Sequence, residues 1–192
     1  MFTKAHIKVP NLYLEEFPNT YSRNIFVHLQ NAPWEVKRNI KGIPVCLTIR
    51  LDKEDNLFYL LDEEDKEIRT GSISDYFLHT LTIDTLRVAF SQSDSVRYIK
   101  VYGIFIEQEE SKPQFVIHDI WFNSGWLGWS NVKLYAKRLG YEVVPYYGIM
   151  TLNQADALFQ FTKRTHPDFE FVLTCMLDIQ TTSGDRIMAK LV

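Results

Sequence analysis

The sequence has little of several features that mark particular classes of protein. Its 192 residues include only 2 cysteines, 8 glycines and 7 prolines, and it has no low-complexity tract. These counts exclude a disulfide scaffold, a collagen-like repeat and a disordered chain. No apolar run approaches the ~20 residues that a membrane-spanning helix needs. The N-terminus also has no apolar stretch typical of a signal peptide. We therefore expect a soluble, cytoplasmic protein with no membrane partner.

Neither sign of charge is in large excess. Lys and Arg together number 21 and Asp and Glu 24, which gives a net charge of -3. This balance argues against a protein whose whole surface binds nucleic acid, although it leaves room for a local basic patch. Cys46 and Cys175 both lie in apolar, strand-like runs. That placement is typical of buried, reduced thiols in an intracellular protein.

The chain is rich in the residues that build a core. Hydrophobic residues make up 46% of the sequence and aromatic residues 14%. That is enough for one sizeable core, and the chain is too short for two ordinary domains. No linker or internal repeat interrupts it. We predict a single domain over residues 1–192, with no appended C-terminal domain.

Hydrophobic periodicity predicts strands along much of the chain. Residues 45–52 alternate with period two, so that Val45, Leu47 and Ile49 share one face and the polar residues between them share the other. Together with the residues up to 60 they predict a hairpin around a polar turn. Further strands are predicted over residues 67–71, 96–106, 114–121, 141–145, 169–180 and 186–192.

Three segments have the period of a helix instead. One is predicted over residues 74–90 with Ser74 as its cap, and a second over 130–140, ending at Gly140. The third covers residues 151–164, with Thr151 or Asn153 as its cap. Strands and helices in this order predict an α+β fold with mostly antiparallel sheets.

Several segments, in this order along the chain, resemble a known superfamily. They are Val101–Phe105 (VYGIF), Phe115–Ile120 (FVIHDI), Leu139–Pro145 (LGYEVVP) and Gly184–Val192 (GDRIMAKLV). They resemble the motifs of the covalent nucleotidyltransferases, which comprise ATP-dependent RNA and DNA ligases and RNA-capping enzymes, and the RNA-ligase branch is the nearest. The resemblance extends from about Lys8 onward. It implies a single ligase adenylation (ATP-grasp-like) domain of mostly antiparallel sheets with packed helices.

The resemblance also implies a reaction and a set of site residues. In this superfamily a lysine amine attacks the α-phosphate of ATP, and carboxylates hold Mg²⁺ and the ribose. Lys190 matches the lysine that touches the α-phosphate, and Phe115 matches the aromatic residue that stacks on the base. Glu170 matches a pocket glutamate, and Arg69 matches the arginine on the ribose and phosphate side.

The attacking lysine can be placed in two ways. The superfamily motif is valine-threonine-glutamate-lysine-leucine-aspartate-glycine. When Leu47–Lys53 is aligned with it, Arg50 takes the place of the lysine. An arginine stays protonated and cannot act as an amine nucleophile. In a shorter alignment that starts at Asp52, Lys53 is the nucleophile instead. The strand phase favours Arg50, because Thr48 lies two residues before it on the same face.

Other departures from the motifs indicate that catalysis has been lost. Ile104 stands where a glutamate is expected, Phe171 where a glycine is expected, and Val192 where a second lysine is expected. We therefore expect a catalytically degenerate RNA ligase-like domain, a pseudoenzyme, that binds a nucleotide or RNA end without a lysyl adduct. In that case Arg50 and Lys190 supply the positive charge that binds the phosphates. The alternative is an active ATP- and Mg²⁺-dependent RNA ligase or adenylyltransferase that uses Lys53.

A third hypothesis rests on tryptophans rather than on the motifs. Trp121, Trp126 and Trp129 surround a short glycine-containing loop. Such a loop could stack on single-stranded RNA or bind a protein partner, as in a structural or inhibitory scaffold that reuses the fold. His118 has no second His or Cys at metal-ligand spacing, so no metal site is predicted from protein ligands alone.

Overall fold

A computed structural model describes residues 29–51, 56–62, 66–90, 97–108, 111–122, 125–176 and 188–191. These residues form two compact units. We call the described residues of 1–40 and 145–192 the terminal unit, and those of 41–144 the central unit. Each unit is built on its own β-sheet.

Strands predominate over helices in the described residues. The strands are β1 (Trp34–Arg38), β2 (Ile43–Leu51), β3 (Asn56–Leu61), β4 (Arg97–Gln108), β5 (Ser111–Phe122), β6 (Gly125–Trp126), β7 (Glu142–Val143), β8 (Tyr146–Met150), β9 (Phe171–Cys175) and β10 (Met188–Leu191). The helices are α1 (Ser72–Thr80), α2 (Ile83–Phe90), α3 (Trp129–Leu139) and α4 (Leu152–Lys163). With all but one strand pairing antiparallel, these elements confirm the predicted α+β class.

The terminal unit is a four-stranded antiparallel sheet in the order β10-β9-β1-β8. Trp34 and Val36 alternate along β1, and Val36 pairs with Leu173 of β9. These three side chains are buried in one core with Ala155 and Phe159 of α4. Because side chains alternate along a strand, the residues between them on β1 lie on the opposite face of the sheet.

The central unit is a six-stranded sheet whose main path is β3-β2-β4-β5-β6, while β7 pairs with β5 in parallel. The predicted alternation in β2 is confirmed, because Leu47 and Ile49 are fully buried and pair with Val101 and Ile99 of β4. The central unit also buries apolar side chains from its three helices, namely Phe77, Leu86, Ala89, Phe90, Val132, Ala136 and Leu139.

The single helix predicted over residues 74–90 is wrong, because the chain forms two helices there. Leu81 is extended, with φ -107° and ψ 120°, and ends α1. The Thr82 hydroxyl then accepts a hydrogen bond from the backbone N–H of Thr85 at 3.0 Å and so caps α2. Ser74 is not a cap but lies inside α1, where its hydroxyl donates to the backbone carbonyl of Arg69 in the preceding loop.

The other helix ends agree with the sequence. Gly140 follows α3 with φ 81°, a left-handed conformation that favours glycine. Thr151 caps α4 in a reciprocal capping box with Gln154. Residues 67–71 do not form the predicted strand, because only Glu67 is paired there, in an isolated bridge with Leu61. Strands β1, β6 and β8 were not predicted.

Two smaller predictions concern the cysteines and membrane spans. Cys46 and Cys175 are both buried thiols, as predicted. Among the helices that the structure describes, none has the length and hydropathy needed to span a bilayer.

Candidate functional site

Two of the predicted site residues lie together in the terminal unit. The Nζ atom of Lys190 on β10 is 2.7 Å from Oε2 of Glu170, the residue before β9. The side-chain amide of Asn39, the residue after β1, donates to the same oxygen at 2.6 Å. The backbone N–H of Asn39 also donates to the carbonyl of Glu170, which extends the β1–β9 pairing by one residue. We call Asn39, Glu170 and Lys190 the polar cluster.

A second polar pair continues along β1. Glu35 and Lys37 alternate with the core residues of the strand, so they share the face opposite the core. The Lys37 ammonium is 3.3 Å from Oε2 of Glu35, and the two side chains are 0% and 4% exposed. Charged groups this deeply buried require a partner, and each supplies one to the other.

Further polar groups accompany this pair. Thr174 of β9 pairs directly with Glu35 and is fully buried, and among the described residues its hydroxyl has no hydrogen-bond partner. Burial, and secondarily the negative charge of Glu35, raises the pKa of Tyr146 on β8. Tyr146 therefore stays a neutral phenol at physiological pH. In the antiparallel pairing of β1 and β8, Tyr146 lies directly opposite Lys37. This face of the terminal sheet thus carries buried polar side chains from β1 and β9 and a half-buried tyrosine from β8.

The residues that compete for the attacking position are not in the terminal unit. Arg50 is an exposed residue of β2 in the central unit. Its guanidinium carbon lies 5.6 Å from the centroid of the Tyr98 ring, within the range of a cation–π contact. Lys53 lies outside the described residues. Arg50 is therefore not a residue of the terminal sheet, which carries the polar cluster.

Arg69 belongs to the exposed loop before α1. Its Nε and Nη2 atoms donate to Oε2 of Glu67 at 2.9 and 2.7 Å. The side chain of Arg69 is 78% exposed, so this is a surface ion pair in the central unit.

Phe115 is a core residue of the central unit. Its side chain is 2% exposed, and its ring centroid lies 4.9 Å from that of Phe77 and 5.4 Å from that of Tyr141. A Cβ atom on Gly103 would approach the Phe115 ring to 2.5 Å, so glycine is required opposite the ring. At 2% exposure the ring has no accessible face on which a base could stack. The predicted stacking role therefore has no support from the geometry.

The predicted tryptophan loop is only partly described. Trp121 and Trp126 are half-buried and pair with each other across β5 and β6, and the Trp126 ring lies 5.3 Å from Tyr102. Trp129 is buried and begins α3, so it is not part of the same surface. In the part of the chain that the structure describes, no group of three or more His, Cys, Asp or Glu side chains could hold a metal ion.

The fold is that of the nucleotidyltransferase domain of ATP-dependent ligases, which confirms the resemblance at the level of the fold. The chain is similar to an archaeal ATP-dependent RNA ligase, with a TM-score of 0.59 and 12% identity over 87% of this chain. It is also similar to a Naegleria gruberi RNA ligase mutant bound to AMP and Mn, with a TM-score of 0.57 and 13% identity over 88% of this chain.

A putative ATP-dependent DNA ligase from Aquifex aeolicus is similar as well, with a TM-score of 0.53 and 14% identity over 88% of this chain. The chain covers 44%, 52% and 46% of the archaeal, Naegleria and Aquifex proteins, which is about half of their length. No family model and no curated protein matches the sequence. The similarity is therefore one of fold.

The residue that sequence reasoning missed is Asn39. The same superfamily motif can be aligned with Val36–Gly42 (VKRNIKG), which keeps the valine and the glycine and has Ile40 at the leucine position. In this third alignment Asn39 takes the place of the lysine. The signal was available in the spacing of Val36, Ile40 and Gly42. It was overlooked because β1 was not predicted as a strand, so these residues had no structural context.

Proposed function

We propose that this RNA ligase-like domain binds a nucleotide or an RNA end without forming a lysyl-nucleotide adduct. The observation that carries the proposal is the position of Asn39, which donates to Glu170 beside Lys190. The third motif alignment gives Asn39 the position of the attacking lysine. The domain is then a pseudoenzyme that retains a phosphate-binding cluster and lacks the covalent step.

The chemistry of an amide explains why the covalent step is absent. A nucleotidyltransferase needs a free amine whose lone pair can attack phosphorus. The side-chain nitrogen of Asn39 is part of an amide, so it donates hydrogen bonds but provides no such lone pair. Lys37 is the nearest amine along β1, yet it is fully buried and lies 3.3 Å from Glu35. Burial in an ion pair disfavours its attack on a bound phosphate.

The polar cluster is suited to holding an anion instead. Lys190 and Asn39 both present N–H groups, and both now converge on one oxygen of Glu170. A phosphate oxygen can accept the same hydrogen bonds. Because Glu170 competes with the phosphate for these donors, we expect the polar cluster to bind a phosphate with only moderate affinity. Neutralising Glu170 should therefore strengthen anion binding.

The described residues do not fit a dedicated Mg²⁺ site. Glu170 and Glu35 are the described carboxylates on this face of the terminal sheet, and each is engaged by a lysine. Mg²⁺ at a nucleotide site is usually held by one or two carboxylates together with the phosphates of the substrate, and both carboxylates here are already paired with lysines. We therefore assign no step to a metal ion, and Mg²⁺ enters only as the counter-ion of ATP.

A thermal-shift titration with Mg·ATP tests the binding. At a free ligand concentration ten times the Kd, binding adds about 1.4 kcal/mol of stability. For a chain of this size that is a rise of about 3–6 °C in the melting temperature. We expect Lys190→Ala to abolish the rise. Lys133→Ala, which changes an exposed lysine on α3, is the matched control and should leave it intact. No rise at any ATP concentration would refute nucleotide binding.

A labelling experiment tests the absence of the covalent step. The protein is incubated with Mg²⁺ and with ATP or GTP radiolabelled at the α-phosphate, then denatured and separated. We expect no labelled protein. A labelled band that disappears in Lys53→Ala would instead establish the active-ligase alternative. If neither nucleotide nor RNA binds, the scaffold alternative gains support. The phosphate roles of Arg50 and Arg69 and the cytoplasmic location stay predictions.

A further inference from the structure

The outer side of helix α3 exposes an aliphatic side chain. The buried residues of the helix form a single stripe and are Trp129, Val132, Ala136 and Leu139. At ~100° of rotation per residue, Leu134 lies on the side of the helix directly opposite this stripe. Its side chain is 43% exposed. Leu134 is therefore a surface residue in its own right and not the margin of the core.

Three cations surround Leu134 on this side of α3. Lys133 and Lys137 lie on one flank, and Arg138 lies on the other, one turn after Leu134. All three side chains are exposed, and α3 contains no Asp or Glu. Cations in the last turn, such as Lys137 and Arg138, stabilise a helix through its dipole. That effect does not account for Lys133, which has the same charge as Lys137 one turn away and so slightly disfavours the helix.

Helix α2 lies beside α3 and extends this surface. The rings of Tyr135 and Phe90 stack with their centroids 5.2 Å apart, and Nη1 of Arg138 donates to the carbonyl of Ala89 at 3.3 Å. Val88, which precedes Ala89, is 70% exposed and points away from the buried residues of α2. We call Val88, Lys133, Leu134, Lys137 and Arg138 the basic helix surface.

The charge of the two helices differs in sign from that of the whole chain. Their exposed residues include one carboxylate, that of Asp84, and four cations, namely Arg87, Lys133, Lys137 and Arg138, a net charge of +3. The whole chain has a net charge of -3. A second copy that presented the same surface across a two-fold axis would bring like charges together. The surface is therefore better suited to an acidic partner than to a copy of itself.

We propose that the basic helix surface binds an acidic amphipathic helix of another protein. Aliphatic side chains of that helix pack on Leu134 and Val88, and its carboxylates pair with the three cations of α3. A single-stranded nucleic acid would need exposed rings on which its bases stack. On α2 and α3, Phe90 and Trp129 are buried, and the half-buried Tyr135 is stacked on Phe90. The aliphatic side chains between the cations thus favour a protein partner.

Fluorescence anisotropy with a labelled synthetic peptide tests the proposal. The probe is a helical peptide of about four turns with Leu at every fourth position and Glu at the flanking positions. One control peptide has Gln in place of each Glu, and the other has Ala in place of each Leu. We expect saturable binding of the probe that weakens as salt rises from ~50 to ~200 mM, and binding of each control about tenfold weaker or less. No saturable binding of the probe would overturn the proposal.

Variants then locate the bound peptide. Leu134→Ala should weaken binding about tenfold, the usual scale for an apolar contact at the centre of an interface. Lys133→Glu with Lys137→Glu should abolish binding of the probe and create binding of a peptide in which each Glu is replaced by Lys. Lys112→Glu, which reverses the charge of an exposed lysine on β5, is the control and should bind the probe nearly as wild type does. Equal losses in the α3 and β5 variants would mean that the peptide responds only to net charge, and would overturn the proposal.

A parallel titration separates a protein partner from a nucleic acid. The titrant is a short single-stranded RNA with hydroxyls at both ends. If this RNA binds, the Lys133 and Lys137 reversals abolish its binding, and the acidic peptide does not bind, the surface serves a nucleic acid and the proposal falls. The result does not depend on the ATP thermal shift, because that experiment reports on the polar cluster of the terminal unit. Circular dichroism melting of each variant confirms that a loss of affinity does not come from unfolding.

Discussion

Replacing Lys37 by methionine should strongly destabilise the protein. The Lys37 ammonium lies 3.3 Å from the Glu35 carboxylate, and the side chains are 0% and 4% exposed. Methionine fills a similar volume without the charge, so Glu35 is left as a buried carboxylate that has lost this partner. Removing one member of a buried ion pair typically costs about 3–5 kcal/mol. Most domains have a total stability of only about 5–15 kcal/mol, so this is a large fraction.

Urea denaturation followed by circular dichroism measures the effect. We expect the midpoint to fall with little change in the slope, and the melting temperature to fall by about 6–20 °C. The double variant Glu35→Met with Lys37→Met should recover most of the loss, because two packed apolar side chains carry no desolvation penalty. Lys133→Met, which changes an exposed side chain on α3, is the control and should change stability by less than about 0.5 kcal/mol.

A change of under about 1 kcal/mol in Lys37→Met would refute the reasoning. It would mean that water reaches the pair, or that the carboxylate of Glu35 has another cation that compensates it. A double variant no more stable than the single one would also contradict the argument, because the loss would then come from packing rather than from an unpaired charge.

Three further predictions concern the core and the helices. Gly103→Ala should cost about 1–3 kcal/mol in urea denaturation, because its Cβ would lie 2.5 Å from the Phe115 ring; wild-type stability would refute this. Thr151→Ala should cost about 1 kcal/mol by removing the α4 cap, and an unchanged midpoint would count against it. Burial raises the pKa of Tyr141, so the folded protein keeps the neutral phenol that the unfolded chain loses above pH ~10. The contribution of Tyr141 to stability is therefore complete below the unfolded pKa of 10.0 and is lost as the pH rises above it. Tyr141→Phe should flatten that alkaline loss, and an equally steep loss would contradict it.

The parts of the fold with a strong local signal were predictable. The alternation in β2 and the left-handed Gly140 are set by residues within a few positions of each other. The break between α1 and α2 was not predicted, because Leu81 is apolar and fits a helical stripe. Its extended backbone is instead set by Thr82, whose hydroxyl caps the next helix.

The candidate site was predictable only in part. Glu170 and Lys190 were found from the motifs, through the characteristic spacing between the pocket glutamate and the last lysine. Asn39 was missed, because β1 has just two apolar residues among three charged ones. That pattern resembles a solvated segment, and only the pairing with β8 and β9 identifies the strand. Long-range pairing of this kind leaves little trace in a local sequence window.

Intact mass spectrometry after incubation with Mg·ATP tests the central claim most directly, applied to the wild-type protein and to Asn39→Lys. We predict that the wild-type mass stays unchanged. The variant regains an amine beside Glu170 and Lys190, and an AMP adduct that peptide mapping locates at residue 39 is the result expected if Asn39 alone blocks the covalent step. An AMP adduct on any lysine of the wild-type protein would contradict the account.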